Sequence, residues 1–155
     1  MFVIPPTTET FIATAMIRRR KRLRAGTSVK FCEIDRKVGD WFERTVEEPV
    51  AKPMPLESTL TSNSLNAAEL AELIGSDEKV DVPLSRIYAL LELHEQGMPT
   101  GLLTNEWPNI FFARDSKGIR RLLDLRREAN GWRLVGREME SARRFYAGVK
   151  VFFRA

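Results

Sequence analysis

With one cysteine and one histidine in 155 residues, the chain is short of the side chains that most enzyme chemistry needs. Cys32 has no partner for an internal disulfide, in keeping with a reducing compartment. Histidine-cysteine zinc sites need several such ligands, and Cys32 with His94 cannot supply them. A Ser-His-Asp triad would have to use His94, yet no nucleophile-elbow motif is present, and the position of His94 by an apolar helical stripe predicts a packing role. Gly-rich phosphate loops and dinucleotide fingerprints are also missing. No apolar run approaches the roughly 18 residues of a bilayer span. At the N-terminus the charges follow the apolar segment instead of preceding it, the wrong order for a secretory signal. These absences predict a cytoplasmic protein, nuclear in a eukaryotic host, with no cofactor and no metal centre. The enzymatic alternative is carboxylate chemistry, such as a metal nuclease using Asp77, Asp81 or Asp115; the reading adopted is binding without catalysis.

Present in quantity are apolar residues (43%) and charge (30%), a globular balance. The net charge is only +4, but it is unevenly spread. Residues 1–50 hold 10 basic and 7 acidic groups, residues 51–108 hold 3 and 9, and residues 109–155 hold 12 and 5. Two basic ends therefore flank an acidic middle. The densest signal is Arg18, Arg19, Arg20, Lys21, Arg22 and Arg24, which suits phosphate neutralisation by counterion release and predicts a nucleic-acid partner, DNA or RNA. The second set is Arg120, Arg121, Arg126, Arg127 and Arg133, with Arg137, Lys150 and Arg154, in or beside predicted C-terminal strands. If these share a face with Phe111, Phe112, Trp132 and Phe152, charge and stacking surfaces combine as in binders of RNA and single-stranded DNA. The opposing expectation puts those aromatics in the core and leaves the arginines as guards of a sheet edge. The alternative partner is a charged surface of a host protein, gripped by a small interaction or inhibitor module of phage or mobile-element type.

The predicted class is α+β: a two-helix unit packed on a C-terminal antiparallel sheet, preceded by a basic segment and a β-hairpin. Residues 1–52 form the basic segment plus hairpin, 53–63 a linker, and 64–155 the helical unit and sheet. From Thr7–Thr10 to Gly26 a basic amphipathic helix competes with a strand, because Phe11 to Ile17 also alternates. Val29–Ile34 and Trp41–Val46 are expected as the two hairpin strands, joined by the turn-rich stretch Asp35–Asp40. The prolines at 49, 53 and 55 predict a connector without regular structure. Asn66 with Glu69 forms a capping box that opens a helix ending at Gly75, and a second helix runs from Pro83 toward Gly97. Strands follow at Ile110–Ala113, Ile119–Arg127, Trp132–Arg137 and Val149–Phe153, with an Asn130-Gly131 hairpin turn and a helical turn near Met139–Tyr146.

The segments Leu65–Gly75 and Ser85–Leu93, followed by strands, resemble a winged helix-turn-helix DNA-binding domain over residues 65–93. The resemblance implies a second helix that enters the major groove with polar or basic residues. In this chain the turn is long and carries Asp77, Glu78 and Asp81, and the second helix sets Glu92 and Glu95 against Arg86. Those charges predict that this helix does not read DNA and that contact falls to the two basic ends. Leu102–Asn105 and Asn109–Asp115 also resemble an element of short uncharacterised bacterial proteins, which implies no activity.

Overall fold

The computed structural model describes residues 1–18, Arg18 by its backbone alone, and 29–155. Its elements in chain order are β1 (Phe2–Ile4), β2 (Phe11–Ile12), α1 (Ala13–Arg18), β3 (Phe31–Ile34), α2 (Arg36–Trp41), β4 (Val46–Glu47), β5 (Met54–Leu60), β6 (Leu65–Asn66), α3 (Ala67–Ile74), α4 (Asp77–Val80), α5 (Leu84–Glu95), β7 (Asn109–Arg114), β8 (Arg120–Glu128), β9 (Gly131–Glu138), β10 (Arg144–Phe145) and β11 (Lys150–Arg154). The class is α+β. Among the described residues, seven strands form one sheet in the order β1-β5-β11-β7-β8-β9-β3. The antiparallel meander β7-β8-β9 is the predicted one, but β11 joins β7 and β3 joins β9 in parallel, so the sheet is mixed and not antiparallel.

Several expectations from the sequence are corrected. The hairpin of residues 29–46 does not form: β3 pairs with the distant β9, and the supposed turn is the helix α2. Asp35 caps that helix, accepting a hydrogen bond from Lys37 N, and Val38 and Trp41 turn inward one helical turn apart. Gly136 on β9 admits the Trp41 ring, since a Cβ there would lie 2.5 Å from the indole. Residues 54–60, expected as part of a connector, are β5, hydrogen-bonded on both sides by β1 and β11. The N-terminal alternatives both hold in part, with β2 giving way to α1. Instead of a helical turn, residues 139–146 hold a loop and β10, which pairs with β6.

Both predicted helices pack on the sheet, but on opposite faces. Successive strand residues point to opposite sides, and Phe111, Ala113, Leu123, Leu125, Leu134 and Phe152 enter one core together with α5. Ile110, Phe112, Leu122 and Val151 enter a second core with Ala67, Leu70 and Ala71 of α3 and Val80 of α4. The capping box is present, Glu69 N donating to Asn66 Oδ1 at 2.9 Å. Trp132 is fully buried in the α5 core, and its Nε1 donates to Glu95 Oε1 at 2.7 Å. The His94 ring meets Trp132 edge-on, with Nδ1 2.9 Å from Thr100 Oγ1, the packing role expected of it. Among the described residues no helix is long and apolar enough to cross a membrane.

Candidate functional site

The meander sorts the predicted C-terminal arginines by parity. Arg121 and Arg127 project with the α5 core, whereas Arg120, Arg126 and Arg133 project with the α3 core. Most of them are already engaged. Arg120 reaches Asp81 at 2.6 Å and Asp77 at 3.1 Å. Arg121 bonds Asp115 at 2.9 Å and lies 4.1 Å above the Trp41 ring. Arg127 donates to the Glu128 carbonyl and lies near Trp132. Asp77, Asp81 and Asp115, offered above as possible catalytic acids, are thus ion-pair partners, and among the described residues no three His, Cys, Asp or Glu side chains gather as a metal site. Phe111, Phe112, Trp132 and Phe152 are buried in the cores and are closed to stacking with a ligand. The side chain of Arg18 and residues Arg19–Arg24 lie outside the described residues.

Arg126 and Arg133 face each other directly across β8 and β9, with Arg137 four residues further along the same face of β9. Two like charges in a cross-strand pair repel, and acids offset them here. Asp124, 1% exposed, holds Arg126 in a fork, accepting from Nε at 3.0 Å and Nη2 at 2.8 Å. Arg133 Nε lies 3.1 Å from Glu33 Oε2, and its Nη1 lies 3.6 Å from Glu128. Arg137 has no such relief. Its Nε is buried without a hydrogen-bond partner among the described residues. Burial holds its guanidinium below the ordinary arginine value, Arg143 and Arg126 push the same way, and Asp124 and Asp35 oppose them. Arginine stays charged regardless. Among the described residues Arg126 is the one that bonds Asp124, while the charges of Arg143 and Arg126 act against that of Arg137, whose buried Nε is left as an unused donor.

Beside Arg126 opens a cleft of about 290 Å³ whose lining includes Glu106, Trp107, Arg143, Arg144 and Tyr146. The buried Asn109 braces one wall: its Oδ1 accepts from Leu103 N and its Nδ2 donates to the carbonyls of Leu103 and Leu125. On that wall Glu106 adopts φ 69°, the one left-handed non-glycine among the described residues, and Trp107 follows, 40% exposed. A non-glycine residue held there stores strain, as segments that present a ligand surface often do. The other wall is anchored by Phe145, sunk into the α3 core, and by Arg144, which bonds Glu69 at 3.0 Å. Around that anchor Arg143 is exposed and Tyr146 is 80% exposed. Glu106 puts one opposing charge on the lining.

A larger groove of about 410 Å³ lies between residues 5–16 and α5, but its described lining offers Glu9 and Glu92 and no lysine or arginine, so it does not suit a polyanion. Arg86 of α5 is also withdrawn: it is 1% exposed and donates to the carbonyls of Pro5 and Lys52, tying the N-terminal strand region to the helix. Arg137 was named with the second basic set, whereas Arg143, Trp107 and Tyr146 were not singled out from the sequence as site residues. Comparison with protein-family models, with curated proteins and with solved structures found no match to this chain.

Proposed function

We propose that this chain is a non-enzymatic, cytoplasmic nucleic-acid-binding protein that grips phosphates with the arginine face of β8 and β9, assisted by the basic run Arg18–Arg24. The observation that carries the reading is the cross-strand pair Arg126 and Arg133, whose side chains stay 28% and 39% exposed, with the exposed Arg143 on the cleft beside Arg126. A phosphate on that face offsets the repulsion between the two guanidinium groups, and charge-assisted bonds of this type are the strong ones. Arg126 and Arg133 come from the set singled out in the sequence; Arg120 and Arg121, bound to Asp81 and Asp115, serve the fold.

The test is a salt-titrated binding assay with fluorescent DNA and RNA oligonucleotides. Wild type should bind with an affinity that falls linearly on a log-log plot, and Arg143→Ala, at an exposed position, should lower the slope by about one. No binding at low salt, or an Arg143→Ala slope equal to wild type, would overturn the assignment. Recovery free of nucleic acid together with capture of one acidic protein would favour the interaction-module alternative.

A further inference from the structure

We propose that the cleft between Trp107 and Tyr146 takes one unpaired nucleobase, stacked on these aromatic rings, with the adjoining phosphate on Arg126 and Arg143. The inference rests on the nucleic-acid reading of the same face and narrows it to single-stranded or looped polymer. Three features of the cleft converge on that ligand. At about 290 Å³ it falls just below the range of about 300–1,000 Å³ usual for ligand pockets, room for one monomer unit and not for a duplex. Its aromatics are exposed, Trp107 by 40% and Tyr146 by 80%, although neither is needed to close a core. Cations share the lining with them, and exposed aromatic faces beside guanidinium groups are how proteins hold a base and its phosphate without reading sequence.

The backbone is arranged to keep those rings presented. A Cβ at Gly148 would lie 3.7 Å from the indole edge, in ordinary contact, so this glycine packs beside the Trp107 ring. Its amide donates to Thr61, fixing the Tyr146–Val149 turn to the end of β5. A base inside a duplex has both faces covered by its neighbours and cannot enter such a cleft unless it leaves the stack. Discrimination against duplex therefore follows from shape.

The experiment compares a short fluorescent oligothymidylate with a blunt-ended duplex, for wild type, Trp107→Leu and Tyr146→Ala. The single strand should bind more tightly than the duplex and quench tryptophan fluorescence. Each variant should weaken single-strand binding by about 5- to 150-fold, the range that stacking one base implies, with the salt slope unchanged. Tyr146→Ala guards against a folding artefact, because that side chain is 80% exposed. Equal binding of both polymers, unaffected by either variant, would overturn the base-stacking cleft and leave the phosphate face standing. Failure of both polymers to bind wild type would overturn both readings.

Discussion

Asp124→Asn is the change whose effects on stability and on binding should have opposite signs. The carboxylate is 2% exposed and takes two short bonds from Arg126, whose own side chain remains 28% exposed. Asparagine keeps the shape and one acceptor but loses the charge and turns a donor toward the guanidinium. Removing one member of a fully buried pair costs about 3–5 kcal/mol, and a hydrogen bond to a charged group contributes about 1.5–3 kcal/mol. Since water reaches part of Arg126, we expect a loss of about 2–3 kcal/mol, or a Tm lower by about 4–12 °C at this chain length. Urea unfolding followed by tryptophan fluorescence should show a lower midpoint with the slope m unchanged. The same substitution adds one positive charge to the proposed phosphate face, worth about 1 kcal/mol at 4 Å through water, so oligonucleotide affinity at low salt should rise about fivefold. Unaltered stability would show that Asp124 does not hold Arg126 in place, and a fall in affinity would refute the assignment of this face to phosphate.

Trp132→Ala should cost about 3–5 kcal/mol, because the ring is fully buried and its Nε1 bond to Glu95 is lost with it; a variant as stable as wild type in urea would contradict the core assignment. Acid should destabilise the fold below about pH 4: burial raises the carboxyl pKa of Asp81 and Asp115, but bonds from Arg120 and Arg114 to the first, and from Ile119 N, Arg121 and Lys117 N to the second, outweigh it and leave both below the ordinary value. Their contribution is thus complete above the unfolded value of about 3.9 and lost as pH falls through the folded values, which a series of urea midpoints against pH would show; a midpoint unchanged down to pH 2 would contradict it. Replacing Arg18, Arg19, Arg20 and Arg22 by Ala should flatten the log-log salt slope by up to about 3 to 4 units, and an unaltered slope would remove the run from the interface. Glu92→Lys on α5 should leave oligonucleotide binding undiminished or raise it, whereas a loss of specific DNA binding with circular dichroism intact would place α5 in the groove.

Local signals were legible where a short stretch decides the outcome. The Asn66–Glu69 box opens α3, and a tight hairpin turns β8 into β9 as expected, although its loop is Ala129–Asn130 and Gly131 already pairs with Glu128. Partner choice across long separations was not legible. The sequence 29–46 carries hairpin-like strands, yet Phe31 pairs with Trp132, about a hundred positions away, and nothing near Phe31 signals that. Asp35–Asp40 reads as a turn because Gly39 masks a one-turn amphipathic pattern whose real marker is the Asp35 cap. The prolines at 53 and 55 suggested a connector, although Pro55 tolerates strand geometry within β5, where it faces Val3 of β1.

The candidate site was least legible because charge that is contiguous along a strand is divided in space. Arg120-Arg121 and Arg126-Arg127 are doublets on β8, so each sends one guanidinium to either face. Acids then claim Arg120 and Arg121 individually, and a count of arginines overstates what a ligand can meet. The groups left with unspent charge, Arg137 and Arg143, belong to different segments and meet only because the loop after β9 folds back over its face to pair β10 with β6. Trp107 joins them from the stretch between α5 and β7, held by Asn109, whose three bonds no sequence pattern announces. A cation and an aromatic that are scattered in sequence, exposed, and braced by buried polar bonds are better evidence for a ligand than a dense run.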